Sequence, residues 1–168
     1  MTLLASYAVG YTEKCKNGSF FTCSDEHTER RIPDKIRDSL KKDYFTPFER
    51  EDILMITLLL SELADETYDL LCCALSVNTQ GATALTSFLY DAVKHIKEFI
   101  LSLSGFPKTN DFSVFFEKWN GILTEFRKAE LTAIGTVSQN MLINRISDCM
   151  RCCRRIMNYA GYSIIKNS

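Results

Sequence analysis

For most of this chain the hydrophobic positions recur with a helical period. From about Ala82 to Ser104, Leu85, Phe88, Leu89, Ala92, Val93 and Ile96 run on into Phe99, Ile100 and Leu103 at spacings of three and four. That repeat puts all of them on one side of a 3.6-residue turn, so an amphipathic helix with a buried stripe is expected there. Gly105 and Pro107 follow in the order of a C-terminal stop. After Asn110-Asp111, an aromatic stripe of Phe112, Phe115, Phe116, Trp119, Ile122 and Phe126 predicts the next helix, with Gly121 a weak point inside it. Gly135 then separates it from a last helix over roughly Val137–Ala160, whose seam is Leu142, Ile146, Cys149, Cys153, Ile156 and Ala160.

Upstream, Ile32, Ile36 and Leu40 recur every four residues beside Pro33, which predicts a short helix ending near Asp43. Thr46-Pro47-Phe48-Glu49 has the form of a capping box with proline at the first helical position and opens a long helix to about Val77. Within it, Ile53 to Leu60 is apolar nearly all round, which suits a central helix, while Glu62, Asp65, Glu66 and Asp69 line one solvated face.

The first residues read differently. Tyr7, Val9 and Tyr11 alternate with small or polar neighbours, and Lys16-Asn17-Gly18-Ser19 leads into Phe20-Phe21-Thr22-Cys23. Asn-Gly between such runs is a hairpin signal, because a type I′ turn needs positive φ at both central residues. The fold expected is therefore mainly α: a single domain over 1–168, with a short N-terminal β-hairpin at 4–24 and a bundle of about five helices at 32–160.

Composition supports a packed core. Of 168 residues, 46% are hydrophobic and 24% charged, outside the range of disordered chains. The opening residues lack a basic start and a long apolar run, and no stretch reaches the roughly 20 apolar residues of a membrane span. The expectation is a cytoplasmic or nuclear protein that is not secreted. Seven cysteines, an odd number with adjacent pairs Cys72-Cys73 and Cys152-Cys153, fit reduced thiols better than a disulfide framework.

The segment Asp148 to Tyr159, DCMRCCRRIMNY, crowds three cysteines and three arginines together. Cys149-x-x-Cys152 has the spacing of a metal pair, and Cys72-Cys73 or Cys15, Cys23 and His27 offer further thiolate and imidazole ligands. Adjacent helical residues diverge by about 100°, however, and no second paired motif completes a zinc set. The simpler reading is one amphipathic helix, with Cys149 and Cys153 inward, Cys152 on the boundary, and Arg151, Arg154, Arg155 and Asn158 outward. Palmitoylation of Cys152 lacks a second membrane signal. A Cys72 or Cys73 nucleophile with His95 lacks an orienting third group, and His95 stands four residues after Asp91, where a local pair explains it. The sequence thus predicts no catalytic residues, no metal site and no cofactor.

Charge is the strongest functional signal. Between Glu51 and Val93 there are seven acids and no lysine or arginine, whereas Met141 to Ser168 carries Arg145, Arg151, Arg154, Arg155 and Lys166 against Asp148 alone. Such polarity steers an oppositely charged partner or supports self-association, or it reflects an acidic and a basic helix that pack side by side. The expected function is a noncatalytic intracellular interaction protein, an adaptor or regulator. It would bind another protein, or a second copy in a homo-oligomer, through a helix face or groove with Arg145, Arg151, Arg154 and Arg155. The alternative is an RNA or DNA binder using the same arginines with Tyr159 or Tyr162 as stacking partners, against which stands a pI near 6.1. The central apolar helix in an all-helical chain resembles the Bcl-2 architecture in outline, which implies groove binding. Trp119-Asn120-Gly121 departs from that family's Asn-Trp-Gly-Arg signature, and no family is identified.

Overall fold

The computed structural model describes residues 1–17, 32–42, 48–76, 83–103, 112–133 and 137–167. Among them are six helices and no strand: α1 (Thr2–Asn17), α2 (Ile32–Lys42), α3 (Arg50–Ser76), α4 (Thr83–Ser102), α5 (Ser113–Thr132) and α6 (Val137–Asn167). The five stripes read from Ile32 onward are all helices, and α6 continues past Ala160 to Asn167.

The N-terminal β-hairpin is corrected by α1. Its first arm is helical, and the buried residues Leu4, Ala5, Ala8, Tyr11, Thr12 and Cys15 follow helical spacing. Small side chains let this helix seat closely, so the stripe is hard to see in hydropathy while the alternating Tyr7, Val9 and Tyr11 stand out. Thr12 buries its hydroxyl by donating to the Ala8 carbonyl at 2.9 Å, which satisfies a polar group without leaving the helix. The second arm, 18–24, lies outside the described residues, as do the Thr46-Pro47 cap, the Gly105 and Pro107 stop, and Gly135.

α1 packs against both α3 and α4, and α6 packs against both as well, so α3 and α4 stand at opposite corners of a four-helix core. α5 covers α4, and α2 lies on α3. Leu4, Leu60, Leu89, Ile96, Leu142 and Ile146 are among the side chains fully removed from solvent at the centre. Burying such groups contributes about 1.5–3 kcal/mol each. Phe99 anchors the α4–α5 contact, meeting Phe112, Phe115 and Phe116 edge-on at 5.7–5.9 Å between ring centroids.

α3 is a corner helix and is not apolar-buried all round. Ile56, Leu59 and Leu60 are buried, but Met55 and Leu58 face outward. No helix among the described residues is long and apolar enough to cross a membrane.

Candidate protein interface on α3 and α6

α3 and α6 run antiparallel, as their side-chain pairs show. Lys166, near the end of α6, contacts Glu49 just before α3 and sits 3.6 Å from Asp52. Further along, Arg155 pairs with Glu62, and Arg145 lies 3.7 Å from Glu66. The acidic and basic segments of the sequence are thus neighbours, and part of the charge polarity is neutralised within the fold.

The four arginines have different fates. Arg145 and Arg155 reach across to α3, Arg151 pairs with Asp148 on its own helix at 2.9 Å, and Arg154 is exposed with no ion pair among the described residues. These pairs are solvent-accessible, so each contributes no more than about 1 kcal/mol. Glu66 is the most constrained partner: burial pushes its carboxyl pKa up, Arg145 opposes the shift, and Oε2 is buried without a hydrogen bond.

At the α3 N-terminus Asp52 is almost wholly buried. Its Oδ1 accepts from the Tyr159 hydroxyl at 3.0 Å, its Oδ2 accepts from Asn167 Nδ2 at 3.1 Å, and Lys166 stands beside it. The first helical turn also favours a negative charge through the aligned peptide dipoles. Burial, then the hydrogen bond to Asp52, holds the Tyr159 phenol above its ordinary pKa, so it remains a donor.

This polar anchor holds Tyr159 at the edge of a groove of about 420 Å³ between the two helices. Met55 and Leu59 line one side; Arg155, Asn158, Tyr159 and Tyr162 line the other. Tyr162 packs near Tyr159 with ring centroids 6.4 Å apart and remains 61% exposed. The groove was legible only in part. Met55 and Leu58 belong to an outward stripe with Glu51, Glu62, Asp65 and Asp69, spaced alternately by four and three, which the dense apolar run conceals.

The cysteines behave as packing groups. Cys149 and Cys153 are buried as the seam requires, and Cys152, expected at a boundary, is also buried. Cys149 Sγ donates to the Glu66 carbonyl at 3.4 Å, a link from α6 to α3. Burial pushes the thiols of Cys15 and Cys152 up to about 12 and those of Cys149 and Cys153 strongly upward, which keeps them protonated. No group of three or more His, Cys, Asp or Glu suited to a metal ion occurs among the described residues; Cys23 and His27 lie outside them.

His95 is explained by α5 and not by Asp91. Its Nε2 lies 2.8 Å from the Phe115 carbonyl, which only accepts, so Nε2 carries the proton. The ring packs on Phe115 and stacks parallel to Trp119, with centroids 5.6 and 6.5 Å away. This contact commits His95 to α5.

Neither a protein-family model nor a curated protein matches the chain. Among solved structures, a PhoU-like protein from Shewanella oneidensis MR-1 superposes with a TM-score of 0.73 at 14% identity, covering 98% of this chain and 94% of that one. At that identity the likeness concerns the fold, so the Bcl-2 outline drawn from a central apolar helix gives way to a helical bundle similar to that of a PhoU-like protein.

Proposed function

We propose that this chain is a noncatalytic helical interaction protein, an adaptor or regulator, whose protein-binding surface is the α3–α6 face. The observation that carries the reading is the groove between Met55 and Tyr162. It joins exposed apolar side chains to a rim of Arg155 and Asn158, the make-up of a protein-binding patch. A catalytic role finds little support here: His95 is committed to a backbone carbonyl, and the buried thiols are held protonated. The likeness to a PhoU-like protein supports the helical-bundle fold on which this reading is built. Nucleic-acid binding is the weaker alternative, because Arg145 and Arg155 already face Glu66 and Glu62.

Affinity purification with the full chain tests this at low and high salt, with nuclease treatment and a Tyr162→Glu variant as controls. The expected result is protein retained at both salt concentrations and after nuclease, and lost from the variant. Retention of nuclease-sensitive material alone, or equal retention by Tyr162→Glu, contradicts the reading.

A further inference from the structure

The outward faces of α3 and α6 are each ordered along their length. On α3, Glu51, Met55, Leu58, Glu62, Asp65 and Asp69 form one stripe, with Met55 and Leu58 an apolar level after Glu51 and the second half acidic. On α6, Arg151, Arg155, Asn158, Tyr162 and Ile165 form another at the same alternating spacing, basic in the middle and apolar toward the end. Met55 and Leu58 are 42% and 43% exposed, and Ile165 is 79% exposed.

Because the helices are antiparallel, these gradients coincide in height. The Asp52–Tyr159 hydrogen bond puts the apolar part of α3 level with the apolar end of α6. The Arg155–Glu62 pair puts the acidic half of α3 level with the arginines. The surface therefore has two levels: apolar against apolar at one, acid beside base at the other.

We propose that this face pairs with the same face of a second copy of the chain, about a two-fold axis parallel to the helices, so that α3 of each copy lies on α6 of the other. This rests on the reading of the α3–α6 face as a protein interface and names its occupant. A rotation about that axis preserves height and exchanges left for right. Met55 and Leu58 then meet the partner's Tyr162 and Asn158, while Asp65 and Glu62 meet the partner's Arg151, Arg154 and Arg155. The perpendicular two-fold in the same plane would set α3 on α3 with height reversed, laying the apolar level of one copy on the charged level of the other, so the order of the two levels selects the first arrangement. An isologous contact of this kind is closed, which limits assembly to a dimer.

Charge reversal distinguishes this contact from any other. Arg151→Glu with Arg154→Glu turns the arginine level of α6 net acidic, with Arg155 its remaining base; Asp65→Lys with Asp69→Lys turns the acidic half of α3 net basic, with Glu62 its remaining acid. Molar mass is measured by light scattering up to a chain concentration of about 1 mM, where an interface with Kd in that range is about half assembled. Circular dichroism checks that each variant is folded. The measured mass of the wild type should rise with concentration from the 19.2 kDa of one chain toward twice that value. Each double variant alone should remain a monomer, and their equimolar mixture should regain the dimer, since acidic stripes then meet basic ones on both sides. Tyr162→Glu should also be monomeric. A wild type that stays monomeric, double variants that still dimerise alone, or a mixture that stays monomeric overturns the proposal. The purification above then separates the two failures: if protein retention still depends on Tyr162, the face binds a different protein; if it does not, the interface reading fails too.

Discussion

Tyr159 donates its phenolic hydrogen to Asp52 across the α3–α6 contact at 3.0 Å, and in doing so fixes one wall of the groove to the start of the facing helix. Asp52 is a buried carboxylate, so losing a donor leaves charge partly uncompensated. Tyr159→Phe should destabilise the fold by about 1–3 kcal/mol, read from the denaturant midpoint, with Asn167 and Lys166 preventing complete loss. An unchanged midpoint would show that the bond does not support the helix pair.

His95 predicts a pH dependence. Burial, the largest influence, lowers its folded pKa below the ordinary 6.5, and Lys118 acts in the same direction against the Phe115 carbonyl. The unfolded chain then takes up the proton first as the pH falls. The contribution of neutral His95 to stability is complete above about 6.5 and is lost as the solution is acidified toward the folded pKa. Glu66, whose pKa is raised, has the opposite dependence in its own range, so the comparison must be with a His95→Gln variant. Between pH 7.5 and 5.5, pH values chosen on about one unit either side of 6.5, the wild type should lose more stability than the variant. Parallel curves would count against a buried neutral imidazole.

Two helical glycines should respond oppositely to added side chains. A Cβ at Gly121 meets nothing within 4 Å, so Gly121→Ala should stabilise by about 0.5–1 kcal/mol through helix propensity. A Cβ at Gly161 comes within 3.0 Å of Cζ of Phe116, so Gly161→Leu should destabilise by about 1–3 kcal/mol through overpacking between α6 and α5. Thermal melts of the two variants give the signs directly.

Thiol chemistry provides an independent check on burial. Of the six described cysteines, Cys72 is exposed while Cys15, Cys73, Cys149, Cys152 and Cys153 are buried. Brief alkylation of the native protein should label Cys72 far ahead of those five, as mapped by peptide mass. Early labelling of Cys149 or Cys153 would place the α6 seam at the surface.

Much of this fold was readable because burial on α2 to α6 follows large apolar residues at helical spacing. α1 escaped because it packs through Ala5, Ala8 and Thr12, small groups that carry little hydropathy signal, while Asn17-Gly18 suggested a turn. The inward seam of α6 was also legible, since Cys149 and Cys153 sit between Ile146 and Ile156 at that spacing. Relations between helices were not. Spacing along α3 makes Asp52 look like one more exposed acid, and only the antiparallel register brings Tyr159 and Asn167 to it. The same limit applies to Arg155 with Glu62 and to His95, whose partner is a backbone carbonyl 20 residues away with no sequence signature.

Pairing of two copies through the α3–α6 face slows amide exchange on both helices as the chain concentration rises. Hydrogen exchange of the full chain at low and high concentration tests this without any substitution. Added protection at high concentration should appear together in peptides spanning 51–69 and 151–165, with α5 unchanged. Concentration-independent exchange on both helices, or protection centred on α5, would contradict the account.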